Sequence, residues 1–235
     1  AIGFSIYYPL GEKEKIEKRK EVSQQIEDFG SSKEYMEYSV LLNKAGDFGT
    51  GFKYLNKAVE LDPKLHLGYR GWIRLRKMRD YDEALADFDR LDSLTPNFVD
   101  APWGEDIDFL RGECYFGKKD YPKAIKLFSR HIKNQKEGWA DIYSFVYLGL
   151  CEYELGNYQK AISEFQRALN QFEYTPEAYF GTAKAYEKMG DVEKAREYTI
   201  KAENNMHYKR DDVYNEFLNE IYLSEILKFK QQLNN

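Results

Sequence analysis

Three basic residues, Arg70, Arg74 and Lys77, stand four and then three positions apart, a spacing that places them on one face of an α-helix. Arginine binds a carboxylate through two parallel hydrogen bonds, and lysine adds a compact positive charge. The trio therefore predicts a site for an acidic segment. A second interpretation stays open, in which the two arginines pair within the protein. The carboxylates available for that pairing are Asp106, Glu113 and Glu105.

Groups that could carry catalysis or bind metal are scattered along the chain. The histidines are His66, His131 and His207, and none stands at ligand spacing from another histidine or a cysteine. Cys114 and Cys151 are read as small, reduced packing residues. The sequence has no glycine-rich phosphate loop after a strand and no nucleophile elbow. It therefore predicts no enzyme, no metal and no cofactor.

Composition narrows the possible partners. Asp and Glu number 40 against 35 Lys and Arg, a net charge of -5. A mildly acidic chain lacks the basic stripe that nucleic acid requires. No apolar run approaches the roughly 20 residues that span a bilayer. The apolar start, Ala1 to Leu10, lacks a basic leader. A cytoplasmic protein and the mature form of an exported one both fit, with the cytoplasm favoured.

A turn-and-helix pattern recurs five times, and its copies begin 33, 40, 37 and 34 residues apart. Each copy opens with Asp or Asn, which can cap the exposed backbone N–H groups of a helix. A small residue follows four positions later, where two helices can approach closely, and a bulky residue often follows four positions after that. The capping residues are Asp47, Asp80, Asp120, Asn157 and Asp191; the small ones are Gly51, Ala84, Ala124, Ala161 and Ala195; the bulky ones are Leu55, Phe88, Phe128 and Phe165.

This pattern resembles the tetratricopeptide repeat (TPR) family. In the fourth copy the matching residues are Phe145, Leu148, Gly149, Tyr153, Ala161, Phe165 and Ala168. The resemblance implies an all-α fold, a right-handed α-solenoid of antiparallel helix pairs that stack into a superhelix. The predicted repeats are 32–65, 66–98, 105–138, 142–175 and 176–205.

The resemblance also implies a function. In the family, the first helix of each repeat lines a concave surface that commonly holds a peptide or a partner helix. Through repeats two to five, the residues predicted to line it are Arg70, Arg74, Lys77, Phe109, Glu113, Phe116, Val146, Leu150, Tyr153, Phe180 and Lys184. A ligand of this surface would be acidic and apolar. Burial of Phe109, Phe116 and Tyr153 by the superhelix itself is the alternative.

The two ends are predicted to cap the repeats. Residues 1–31 hold the apolar start and a charged helix from Glu12 to Asp28. Residues 206–235 hold a long helix from Val213 to about Leu233, with Asp211 or Asp212 as its cap. Its apolar stripe is wider than one packing face needs, so capping and a self-association surface both stay open. The stripe consists of Tyr214, Phe217, Leu218, Ile221 and Tyr222, and it is continued around a wider arc by Leu223, Ile226 and Leu227.

Two functions follow as expectations. The first is a protein-interaction scaffold or adaptor that binds a peptide or partner segment in the groove. The second is a structural subunit that docks through the C-terminal helix and the loops between repeats. Trp103 and Trp139 lie in two such loops and are predicted to share one edge, as a secondary contact site.

Overall fold

The computed structural model describes residues 17, 20–24, 26, 30–96, 98–210 and 216–234, apart from the side chain of Trp103. Within these ranges the chain is helical and contains no β-strand. The all-α helical-repeat fold expected from the sequence is confirmed. The apolar start, most of the helix expected over Glu12 to Asp28, and residues 211–215 lie outside the described ranges.

Helices occur in consecutive pairs, with a first and a second helix in each repeat. The first helices are α1 (Ser32–Lys44), α3 (Pro63–Ile73), α5 (Ile107–Gly117), α7 (Ile142–Glu154) and α9 (Pro176–Lys188). The second helices are α2 (Phe48–Leu61), α4 (Tyr81–Leu94), α6 (Tyr121–Gln135), α8 (Tyr158–Gln171) and α10 (Val192–Asn204). A final helix, α11, spans Leu223–Gln232.

Aspartates begin four of the five second helices. The carboxylate of Asp47 accepts a hydrogen bond from the Thr50 backbone N–H at 3.1 Å, and Asp191 accepts one from Lys194 at 3.1 Å. Asp80 and Asp120 cap α4 and α6 in the same way. Asn157 does not cap α8, because its amide group donates to the Glu152 carboxylate at 2.7 Å instead.

The chain forms two units, one ending at His66 and the other beginning at Leu67. In the first unit, Tyr38 and Leu42 of α1 and Tyr54 of α2 form a buried cluster with Ile26. The rings of Tyr38 and Tyr54 meet edge to face at 4.9 Å. Ser31 and Glu34 form a capping box that begins α1. These contacts account for the pairing of α1 with α2.

The second unit is built on close contacts between glycines of first helices and phenylalanines of second helices. Phe88, Phe128 and Phe165 are fully buried. A Cβ atom placed on Gly112 would lie 2.7 Å from the Phe128 ring, and one on Gly149 would lie 2.5 Å from the Phe165 ring. Because the missing side chain makes room for the ring, glycine sets the distance between the two helices.

We expect Gly149→Ala to lower the free energy of unfolding by about 1–3 kcal/mol through overpacking against Phe165. Alanine otherwise favours a helix by roughly 0.5–1 kcal/mol over glycine, so the sign of the effect is diagnostic. Urea denaturation measures it. Gly138→Ala is the matched control, because nothing lies within 4 Å of a Cβ placed there. A stabilised Gly149→Ala variant would contradict the close contact.

The last helix is shorter than its apolar pattern predicts. It begins at Leu223, not near Val213, because residues 216–222 are not helical. Their apolar side chains contact different helices instead of forming one stripe. Leu218 packs against the main core, and Ile221 lies in a cluster with Phe180 and Ile226.

Candidate functional site

Arg70 and Arg74, predicted to face a ligand, both bind one carboxylate inside the protein. Arg70 donates from Nε and Nη2 to Asp87 of α4 at 3.0 and 2.7 Å, and Arg74 donates to the same carboxylate at 2.6 Å. Arg74 also pairs with Glu83 at 3.1 Å. Asp87 is buried. Internal pairing is therefore the observed arrangement, with Asp87 and Glu83 as partners in place of Asp106, Glu113 and Glu105.

The register of α3 explains this difference. Phe88 follows its contact glycine, Gly71, by 17 positions, whereas the spacing in the third and fourth repeats is 16. The extra residue is accommodated in one π-helical turn, Arg74–Met78. Trp72 consequently occupies the helical position that Glu113 occupies in α5, and Arg76 occupies the position of Phe116. The longer glycine-to-phenylalanine spacing of the second repeat is the signal in the sequence that could have placed Arg76 at this position.

Arg76 is the centre of a buried polar network that joins three first helices. Its side chain is fully buried and pairs with Glu113 of α5 and, at 2.8 Å, with Glu105. Tyr147 of α7 donates its hydroxyl hydrogen to Glu113 at 2.6 Å. Burial alone would lower the pKa of Arg76, but the two carboxylates outweigh it and raise that pKa. Burial raises the pKa of Glu113.

Residues 216–222, here the C-terminal segment, lie against this network. Glu216 pairs with Lys77 at 3.2 Å, and the Arg76 guanidinium lies 4.7 Å from the centre of the Phe217 ring. The side-chain oxygen of Asn219 lies 3.1 Å from the Tyr147 hydroxyl. The segment therefore contacts residues from the first helices of repeats two and four. Through Ile221 and Phe180 it also reaches the fifth.

Lys209 and Arg210 also hold the C-terminal segment. The Arg210 guanidinium lies 3.2 Å from the centre of the Phe217 ring, and Arg210 also donates to Asn219 at 3.2 Å. Lys209 forms an ion pair with Glu220. Two guanidinium groups, those of Arg76 and Arg210, therefore lie over the Phe217 ring, and each cation is attracted to the π electrons of the ring.

The other predicted groove residues divide into two groups. Phe109, Val146 and Phe180 are buried in the core, as is Glu113. Phe116, Leu150, Tyr153 and Lys184 are half-buried and retain exposed surface. The ammonium of Lys184 lies 4.9 Å from the Phe180 ring centre and 5.7 Å from that of Tyr153. Burial lowers the pKa of Lys184.

Seven residues of the second unit, contributed by the first helices and the π-helical turn, form a surface that is here called the first-helix face. Its members are Arg76, Lys77, Phe116, Tyr147, Leu150, Tyr153 and Lys184. They bring three basic groups, two tyrosine hydroxyls and a row of aromatic and aliphatic side chains to the side of the repeats that the C-terminal segment contacts. Such a surface can bind carboxylates and bulky apolar side chains together.

A second exposed surface lies in the connections that follow the second helices. Trp139 is 84% exposed in a short 3₁₀ turn. In later connections, the rings of Tyr174 and Tyr208 stack at 4.6 Å, and Phe172 meets Tyr174 at 5.4 Å. These aromatic residues are here called the loop edge. Trp139 is exposed as expected from the sequence, its contact role stays a prediction, and the Trp103 side chain lies outside the described part.

Within the described ranges, no three His, Cys, Asp or Glu residues are grouped so that they could hold a metal ion. No helix in those ranges is both long and apolar enough to cross a membrane. Cys114 and Cys151 are buried and unpaired with each other, and burial raises the pKa of both thiols.

Comparison with known proteins shows what the chain is similar to. A family model described as Tetratricopeptide repeat matches residues 73–138 and 148–203, which together make up more than half of the chain. A search of curated proteins finds no match.

Solved structures share the fold. PilW, described as a widely conserved type IV pilus biogenesis factor, has a TM-score of 0.66 at 14% identity, covering 92% of this chain and 94% of its own. MamA from Desulfovibrio magneticus RS-1 has 0.63 at 19%, covering 77% and 97%. YrrB, described as a TPR protein with an unusual peptide-binding site, has 0.57 at 18%, covering 79% and 92%. At these identities the likeness extends to the fold alone.

Proposed function

Because the chain belongs to the tetratricopeptide repeat family, whose repeats are protein-interaction modules, we propose that it is an adaptor that holds a partner segment on its first-helix face. Protein binding in general follows from the family. The place of binding and the chemistry of the partner segment are the proposal.

The observation that supports this place is the C-terminal segment. The segment is non-helical. Its Glu216 pairs with Lys77, its Phe217 ring lies against the Arg76 guanidinium, and its Asn219 lies at the Tyr147 hydroxyl. The first-helix face can therefore accommodate a chain that is not itself a repeat. YrrB, a structural neighbour, is described as having a peptide-binding site, which is consistent with this use of the fold.

The half-buried members of the face extend the contact area. Tyr153 and Leu150 of α7 present aromatic and aliphatic surface, and Lys184 of α9 adds a cation for which the described residues provide no ion-paired carboxylate. Aromatic side chains bury a large area with little loss of rotamer freedom. A hydrogen bond to a charged group contributes about 1.5–3 kcal/mol. These groups favour a partner segment that combines acidic and bulky apolar residues.

The loop edge supports a second candidate function, that of a structural subunit. Trp139 is 84% exposed, and large aromatic residues with this exposure are typical of protein interfaces. Under this alternative, the connections between repeats dock against a larger assembly and the first-helix face has no external ligand.

Two variants separate these candidates. Lys77→Glu with Tyr153→Ala changes the first-helix face, and Trp139→Ser changes the loop edge. Full-length wild type and both variants are used to capture partners, followed by calorimetry with the purified partner. We expect the face variant to bind at least about tenfold more weakly, since it loses an ion contact and buried aromatic area. We expect Trp139→Ser to bind like wild type. The reverse result would favour the structural subunit.

A further inference from the structure

We infer that the C-terminal segment, residues 216–222, is a built-in competitor for the first-helix face: the partner carries a similar order of acidic, aromatic, aliphatic and amide side chains and binds by displacing it. This inference rests on the proposed function, whose site it uses. It adds the regulation of that site and the sequence chemistry of the ligand.

The segment occupies the positions that a ligand would need. Phe217 covers Arg76, and Asn219 lies at the Tyr147 hydroxyl. Both partners belong to the buried network that joins first helices of different repeats. A peptide that used Lys77, Arg76 and Tyr147 would therefore require the C-terminal segment to leave.

The segment is held by the buried side chains of Phe217 and Ile221 and by two ion pairs, and the ion pairs are the contacts that another chain can exchange. The Glu216 carboxylate group belongs to a side chain that is 60% exposed, and an ion pair with this exposure contributes little to stability. Lys209 and Glu220 form a second pair whose side chains are 19% and 24% exposed. Another chain with acidic groups at the same spacing can replace these contacts.

The last helix has anchors on α10 that do not involve the segment, and Ile221 is the segment residue that shares a cluster with it. Arg196 of α10 donates from Nε to the Leu233 carbonyl oxygen at 3.0 Å, and Lys230 pairs with Glu203 at 2.6 Å. Ile226 is fully buried in a cluster that includes Phe180 and Ala202. Helix α11 can thus remain on α10 while the residues before it move.

Covalent attachment gives the segment an advantage over a free ligand. A tethered group acts at an effective concentration on the order of millimolar when its connection is short. A free peptide with the same contacts must overcome that concentration. The tethered segment therefore excludes weak ligands from the first-helix face. A partner that makes additional contacts, for example with Tyr153 and Lys184, can still bind there.

The probe for this inference is a fluorescently labelled synthetic peptide, EFLNEIYL, which copies residues 216–223. Its anisotropy is measured with the full-length wild type and with the full-length variant Glu216→Ser/Phe217→Ser, whose own segment is weakened. We expect the variant to bind the peptide at least about tenfold more tightly, because its tethered competitor no longer fills the site. Equal affinity for both proteins would overturn the inference.

A charge exchange checks the register. In the weakened background, Lys77→Glu should bind EFLNEIYL several-fold more weakly and should regain affinity for KFLNEIYL, in which lysine replaces the first glutamate. Failure of this rescue would overturn the pairing of the peptide's first residue with Lys77. Circular dichroism and thermal unfolding confirm that each variant is folded.

Wild-type protein provides a test that needs no variant. Excess EFLNEIYL should speed amide hydrogen exchange in residues 216–222, while α10 and α11 stay protected. Unchanged exchange at saturating peptide would overturn competition. Loss of competition leaves the capture experiment on the first-helix face unaffected, so the two proposals fail separately.

Discussion

Arg76→Met should lower the free energy of unfolding by about 3–5 kcal/mol, because it leaves the Glu113 carboxylate buried without its cation. Both side chains are fully buried in the folded protein. Methionine preserves most of the side-chain volume, so the loss measures the charge and not a cavity. Chemical denaturation at neutral pH gives the value.

The pH dependence of this variant has a definite sign. Burial already raises the pKa of Glu113, and Arg76 opposes that rise. Without the arginine, the folded-state pKa rises further above the unfolded value, so the folded state binds the proton more tightly. The variant should therefore lose stability as pH rises from the ordinary glutamate range through the raised pKa, and the difference from wild type should shrink at low pH.

The double variant Arg76→Met/Glu113→Gln is the matched control. It removes both charges and keeps the shapes of the two side chains. Replacing both members of a buried pair is far less costly than removing one, so it should recover most of the lost stability. If Arg76→Met were as stable as wild type at neutral pH, the pair would not hold the three helices together.

Arg70→Ala/Arg74→Ala should also lower the free energy of unfolding by about 3–5 kcal/mol, because Asp87 would stay buried and unpaired. The arginine side chains are 15% and 14% exposed and that of Asp87 is 4% exposed, so solvent can replace little of the lost pairing. Because these arginines face α4, we expect the folded double variant to bind EFLNEIYL in the weakened background as tightly as the unchanged sequence.

Two controls accompany that prediction. Adding Asp87→Ala should restore part of the stability by removing the unpaired carboxylate. Lys123→Ala removes an ion pair with Asp120 in which the lysine side chain is 60% exposed, and it should leave stability nearly unchanged. A double arginine variant that unfolds like wild type but loses peptide affinity would show that the two arginines belong to the binding surface after all.

The repeat itself could be predicted from the sequence because its determinants are local. A cap such as Asp47 acts within one helical turn, and the small residue at 161 or the bulky one at 165 repeats with the period of its own helix. Helix pairs are close in sequence, so their packing follows from the same pattern. The prediction failed at Asn157, where Glu152 in the preceding helix competes for the amide.

The orientation of Arg70 and Arg74 was decided by tertiary structure. Both lie on one helical face, and the sequence shows that face clearly. Which element lies opposite depends on how α3 packs against α4, and the additional residue in the π-helical turn shifts only the positions that follow it. Several carboxylates were compatible with the arginines, and only the packed helices bring Asp87 between them.

The non-helical conformation of the C-terminal segment depended most on the tertiary structure. By periodicity alone, residues 217, 218, 221 and 222 read as one apolar helical face. In the folded protein, Glu216 pairs with Lys77 across 139 residues of chain, and Asn219 reaches Tyr147 across 72. Local helix propensity was outweighed here by contacts to residues that the stacked repeats bring together, and a helical pattern contains no information about contacts at that separation.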